Sequence, residues 1–107
     1  MTFEQMFQDN VGRAPKTTLW EDFAIADRFG LRAIKSTYTK AKRFCSKDPE
    51  LWGEFSIVLN WRCSMHYGAG REELARVYDD LAYQSRDDFY AKVADEKARS
   101  IYFQLTD

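Results

Sequence analysis

The sequence predicts an all-α protein: a single-domain bundle of five or six helices, with a central helix at about residues 49–67. Three observations carry that prediction. Apolar residues recur at helical spacing, most legibly Leu31, Ile34, Tyr38, Ala41 and Cys45. Proline and glycine are scarce, two and five residues, and act mostly as punctuation between the periodic windows. The aromatic content of 16% is high. Each ring can bury roughly 150–250 Å², so one core can form without disulfides or a metal. A chain of 107 residues fits one domain, residues 1–107.

Thr2-Phe3-Glu4-Gln5 reads as a capping box that starts a short helix, with Phe3, Met6 and Phe7 on one face and Gly12 ending it. A loop containing Pro15 follows. Thr18-Leu19-Trp20-Glu21 reads as a second capping box, and Leu19, Trp20, Phe23, Ala24 and Asp27 fall at helical spacing behind it. Gly30 marks a break or a bend. The next helix runs from Leu31 to Ser46, with its apolar face opposed by Arg32, Lys35, Ser36, Thr39 and Arg43.

Asp48-Pro49-Glu50 is a strong helix start: Asp48 can cap, Pro49 suits the first helical position, and Glu50 suits the positive end of the dipole. This helix runs to about Tyr67 and stops at Gly68-Ala69-Gly70. Leu51, Trp52, Phe55, Val58, Leu59, Cys63 and Met65 lie on one side and Ile57 and Trp61 on the other, which marks it as central. Arg71 to Gln84 is amphipathic, with Leu74, Val77, Tyr78 and Leu81 facing inward. Glu72, Arg76 and Asp80 make i,i+4 pairs on it. A kink is expected at Ser85-Arg86-Asp87-Asp88 before Phe89, Tyr90 and Val93. Asp95 then caps a last helix bearing Ala98, Ile101, Tyr102 and Leu105. Alternation of Ile101, Phe103 and Leu105 leaves a short strand as the other reading of 97–105. Helix is favoured because one strand has no obvious partner.

The net charge is −1, so the chain as a whole is not a strongly basic nucleic-acid binder. Two cysteines make no disulfide framework. No apolar run is long enough to span a membrane, and the N-terminal residues do not read as a signal peptide, so a cytoplasmic protein is expected.

Charge is strongly segregated. Residues 28–47 hold seven basic side chains, Arg28, Arg32, Lys35, Lys40, Lys42, Arg43 and Lys47, and no acidic one. The rest of the chain has a balance of −8. This stripe is the best candidate partner surface, for phosphates or an acidic protein. The bland alternative is a solvated face balanced by acids such as Asp79, Asp80, Asp87 and Asp88. No exposed aromatics are expected among the cations, which argues against stacking of single-stranded bases. Ile57 and Trp61 form a second candidate: if exposed, that flank is a partner or homodimer site; if a terminal helix covers it, it is architecture.

Other motifs are weaker. Arg62 and His66 form an i,i+4 pair on the apolar side of the central helix, where a buried Arg requires a partner, Asp22 or Asp27. His66 is the one histidine, so imidazole catalysis would have to use it. Cys63 and His66 have a chelating spacing, yet even with Cys45 they fall short of the four ligands of a structural zinc. No metal or cofactor is expected. The loop Gly12-Arg13-Ala14-Pro15-Lys16-Thr17-Thr18 echoes a phosphate-binding loop but lacks its second glycine and the preceding strand. A looser anion site at the following helix N-terminus stays open. The adjacent pairs Asp79-Asp80 and Asp87-Asp88 diverge by about 100° on a helix and do not converge on a substrate.

Residues 9–30, Asp9-Asn10-Val11-Gly12 through Asp27-Arg28-Phe29-Gly30, together with Val58-Leu59-Asn60, His66-Tyr67 and Thr106-Asp107, resemble a group of small helical proteins from gut Bacteroidota and their mobile elements and phages. The resemblance implies a bacterial, intracellular setting and a mobile-element context. It brings no activity, cofactor or site residue. The expectation is a non-enzymatic protein-interaction module using Arg28, Arg32, Lys35, Lys40, Arg43, Ile57 and Trp61. Its rivals are a nucleic-acid-associated protein using helix 31–46, an antagonist of a host defence protein, and, more remotely, a small enzyme using His66.

Overall fold

A computed structural model of the chain describes residues 2–92 and 96–106. They form six helices: α1 (Phe3–Val11), α2 (Leu19–Phe29), α3 (Leu31–Cys45), α4 (Pro49–Gly68), α5 (Glu72–Lys92) and α6 (Glu96–Thr106). No strand occurs among the described residues, and 97–105 is helical. The anticipated Asp95 cap and the side chain of Val93 lie outside the described residues.

The local signals act largely as their chemistry requires. Thr2 Oγ1 accepts from the Gln5 amide at 3.2 Å, while Gln5 Oε1 accepts from the Thr2 amide at 3.1 Å. Gly12 closes α1 at φ 87°, a left-handed turn that glycine adopts without a Cβ clash. Asp48 Oδ1 accepts from the amides of Glu50 and Leu51 at 2.9 and 3.4 Å, with Pro49 opening α4. Gly30, at φ 98°, is the single residue between α2 and α3 and folds them into a helical hairpin.

Two boundaries differ from expectation. Thr18 has φ −106° and ψ 22° and makes no side-chain cap, because its backbone is not in the extended conformation that aims a capping hydroxyl at the helix. The nearest substitute is Thr17 Oγ1, 3.4 Å from the Leu19 amide. The expected kink at Ser85 is absent, and α5 runs unbroken to Lys92. Ser85 is buried, and its carbonyl accepts from the Trp52 indole at 3.0 Å, so packing holds the helix through that point.

Helix α4 is the centre. It packs on α2, α3, α5 and α6 and buries Trp52, Phe55, Val58, Leu59 and Cys63. A helix apolar over most of its circumference is stable only when neighbours surround it. Rings join the layers: Phe23 stacks on Phe55 at 6.2 Å and meets Tyr78 edge-on at 5.7 Å, and Phe89 stacks on Tyr102 at 4.3 Å. Gly53 admits α6, since a Cβ there would lie 2.7 Å from a Leu105 methyl. Ser56 and Tyr102 share a buried hydrogen bond of 2.9 Å beside it. Two residues assigned inward by spacing, Leu31 and Met65, are exposed instead. Leu31 stands at the tip of the hairpin, where α3 has only begun.

Candidate functional site

The basic stripe is solvent-facing. Arg28, Arg32, Lys35, Lys40, Arg43 and Lys47 are exposed. Of the seven cations of residues 28–47, Lys42 alone forms an ion pair among the described residues, with Asp88 at 3.0 Å. The acids of α5 therefore neutralise one cation and leave the rest to solvent. Tyr38 joins this contact, its hydroxyl 3.4 Å from Asp88. Burial, and then Asp88, raise the Tyr38 pKa well above the ordinary phenol range.

The absence of aromatics expected on this face is overturned. Phe29 is 75% exposed and Phe44 66%, with Ile25 at 54% and Leu31 at 47%. All four lie on the α2–α3 hairpin, interleaved with the cations. Between the two helices runs a groove of about 640 Å³, walled by Ile25 and Phe44 and edged by Lys16, Lys40 and Asp22. Asp22 and Ile25 of α2 and Thr37, Lys40, Ala41 and Phe44 of α3 line it. Ile25, Phe29 and Phe44 were not among the candidate residues. The signal was present: Ile25 and Phe29 form an i,i+4 pair away from the buried Leu19, Phe23 and Ala26 stripe.

The Ile57 and Trp61 flank is placed differently. Both are partly buried and packed against the core. Phe3 of α1 meets Trp61 edge-on at 6.0 Å and stacks on Trp20 at 6.0 Å. The chain's own first helix thus leans on this flank.

The loop Gly12–Thr18 does hold an anion, and the anion is the chain's own. The fully buried carboxylate of Glu54 accepts from the amides of Lys16 and Thr17 at 2.9 and 2.8 Å, from the Thr17 hydroxyl at 2.5 Å and from Arg13 at 3.1 Å. Glu50 adds Arg13 at 2.9 Å and Lys16 at 3.0 Å. Paired and hydrogen-bonded on both oxygens, Glu54 meets the conditions for a buried charge. The donors that resembled a phosphate loop are spent on fixing this loop to α4.

A second polar cluster surrounds His66. Asp27 accepts from Arg62 and His66 on one oxygen and from Tyr78 on the other. The buried Arg62 thus takes Asp27, not Asp22. Arg71 Nε donates to His66 Nδ1 at 2.9 Å. Since Arg can only donate, Nδ1 is an acceptor and the ring proton sits on Nε2, facing Asp27 at 2.8 Å. Both ring nitrogens are engaged within the chain. Burial, then the hydrogen bond to Asp27, push the Tyr78 pKa far above the usual phenol range.

Cys45 and Cys63 are free and buried. No set of three or more His, Cys, Asp or Glu is arranged for a metal ion among the described residues. None of the described helices is long and apolar enough to cross a membrane. The fold and surface together define an all-α helical bundle with an open hairpin face that mixes cations and large apolar side chains. No protein-family model, no curated protein and no solved structure matches the chain.

Proposed function

We propose that this chain is a non-enzymatic protein-interaction module that docks through the α2–α3 hairpin. One observation carries the reading: Ile25, Phe29, Leu31 and Phe44 are exposed on the same hairpin as five cations, Arg28, Arg32, Lys35, Lys40 and Arg43, that no acid pairs among the described residues. Large exposed apolar side chains mark interaction surfaces, and surrounding charge steers and selects the partner. The free, buried cysteines support a reducing, cytoplasmic setting. In the mobile-element context that the resemblance implies, the partner we propose is a host protein, a defence protein being a special case.

The test is quantitative capture from a bacterial extract with two variants, both checked for helix content. One reverses Arg32, Lys35 and Arg43 to Glu; the other carries Phe29→Ser and Phe44→Ser. The same partner should be lost with both. Undiminished capture by the charge-reversed variant counts against the reading.

A second reading, a nucleic-acid-associated protein, gains from Phe29 and Phe44, which supply exposed rings beside cations as base stacking requires. Here the discriminator is salt. Binding to labelled single-stranded DNA should weaken steeply as ionic strength rises, and a flat response rejects it.

A further inference from the structure

The imidazole of His66 touches two groups that make opposite demands on it. Its Nδ1 accepts from Arg71 Nε at 2.9 Å, which requires that nitrogen to carry no proton. Its Nε2 faces the Asp27 carboxylate at 2.8 Å, and a cationic ring binds a carboxylate more strongly than a neutral one. The charged and titratable groups around the ring are Asp27 from α2, Arg62 from α4, Arg71 beside the first turn of α5, and Tyr78 from α5. Arg62 donates to the same carboxylate, and the imidazole stacks on the Tyr78 ring at 5.5 Å. Tyr78, its pKa raised by burial and then by Asp27, keeps its proton at acid and neutral pH. The ring of His66 is buried, whereas Arg71 is exposed and directly follows the Gly68–Gly70 turn. His66 and Arg71 are also joined by backbone, the Arg71 amide donating to the His66 carbonyl at 2.8 Å.

We infer that His66 is a proton-operated latch between α4 and the start of α5. A second proton on the ring lands on Nδ1 and turns the acceptor into a donor. That donor then faces the Nε–H of Arg71, and two cations are left in contact. The Arg71 side chain, already at the surface, leaves for solvent. On the other side of the ring the same proton makes the Nε2–H bond to Asp27 charge-assisted. The contact between α2 and α4 therefore tightens as the side-chain contact to the start of α5 lets go. The closed latch holds no proton on Nδ1 and the open latch holds one, so acidification favours the open form. The backbone bond between the two residues is untouched, so the turn keeps its path. The latch makes no use of the docking face of the hairpin and stands or falls apart from it.

Nuclear magnetic resonance of the full chain reads both ends of the latch, in a titration from about pH 8 to about pH 5, the range in which imidazoles change charge. His66 is the one histidine, so the ring signals have a single source. At the upper end Nε2 should carry the ring proton, and Arg71 Nε–H should exchange more slowly than in a free guanidinium at the same pH. As the ring takes its second proton, that protection should fall about tenfold with the same midpoint, the scale of one lost hydrogen bond. Helix content by circular dichroism should not change across the step. Arg71→Met removes the opposing cation at an exposed position, so His66 in that variant should take its second proton at a higher pH. Any of four results on the wild type overturns the latch: a ring proton on Nδ1 at the upper end, a ring still singly protonated at the lower end, Arg71 protection that outlasts the second proton, or release of Arg71 together with loss of the helices. An Arg71→Met chain whose ring titrates with the wild type overturns it as well.

Discussion

Asp27 of α2 and His66 of α4 meet at 2.8 Å, and through that contact one carboxylate ties three helices together. Its other partners are Arg62 on α4 and Tyr78 on α5. Arg71, at the start of α5, closes the cluster by donating to the far side of the imidazole. The cluster around the histidine thus joins α2, α4 and α5, and the hairpin that carries Asp27 is held on the bundle by it.

Removing that joint should be costly. Asp27→Ala leaves Arg62 without its counter-charge and Tyr78 without its acceptor. The expected loss is about 3 kcal/mol, the scale for breaking one side of a buried ion pair. Urea unfolding followed by circular dichroism reads it directly. A loss under about 1 kcal/mol would show that the carboxylate is a spectator, as in exposed pairs.

Glu54→Gln tests the internal anion. The variant keeps the shape but loses the charge that faces Arg13 and the donors of Lys16 and Thr17. A drop of roughly 2 kcal/mol is expected, typical of hydrogen bonds to a charged group. Amide exchange at Lys16 and Thr17 should accelerate more than exchange in α5. Uniform acceleration across the chain would mean that the loop is not held locally by Glu54.

Gly53 sets the approach of α6. Gly53→Ala places a Cβ 2.7 Å from Leu105 Cδ1, so the helix must shift. Destabilisation of about 1–3 kcal/mol follows for overpacking. Combining it with Leu105→Ala should recover part of that loss, a non-additive pair. Strict additivity would mean that the two residues do not touch.

Alkaline pH should unfold the chain. Burial, with Glu54 and Asp48 adding to it, pushes the Cys45 thiol from 9.0 up to about 12. Between those values the unfolded chain has released a proton that the folded chain keeps, so stability falls as pH rises. The urea midpoint should hold up to about pH 8 and decline by about pH 10. Tyr38 and Tyr78, also raised, extend the decline upward. Cys45→Ala should flatten the first part of the slope, and an unchanged slope would falsify the assignment to Cys45.

Much of the fold was legible because it rests on short-range chemistry. The Thr2 box, the Asp48 cap, and Gly12 and Gly30 are readable from one or two turns of chain. The burial of Ile34, Tyr38, Ala41 and Cys45 follows from spacing alone. The failures share a cause. Thr18 and Ser85 carry local signals for a cap and a break, and tertiary partners decided otherwise. Leu31 shares the apolar period of α3, yet helix ends can run past the elements that would cover them. The exposed Phe29 and Phe44 escaped notice because an aromatic residue is read as core by default, and only neighbours reveal which rings are left outside.

The order of amino acids by itself determined the helical class, the central place of residues 49–67 and the segregation of charge, since all three depend on periodicity and composition along the chain. Tertiary structure alone decided that Glu54 fills the loop of residues 12–18, that Asp27 claims both Arg62 and His66, and that the apolar groove opens on the basic hairpin. Those pairings join residues tens of positions apart. Which donor meets which acceptor, and which side chain stays wet, depends on how the helices are laid against one another in space.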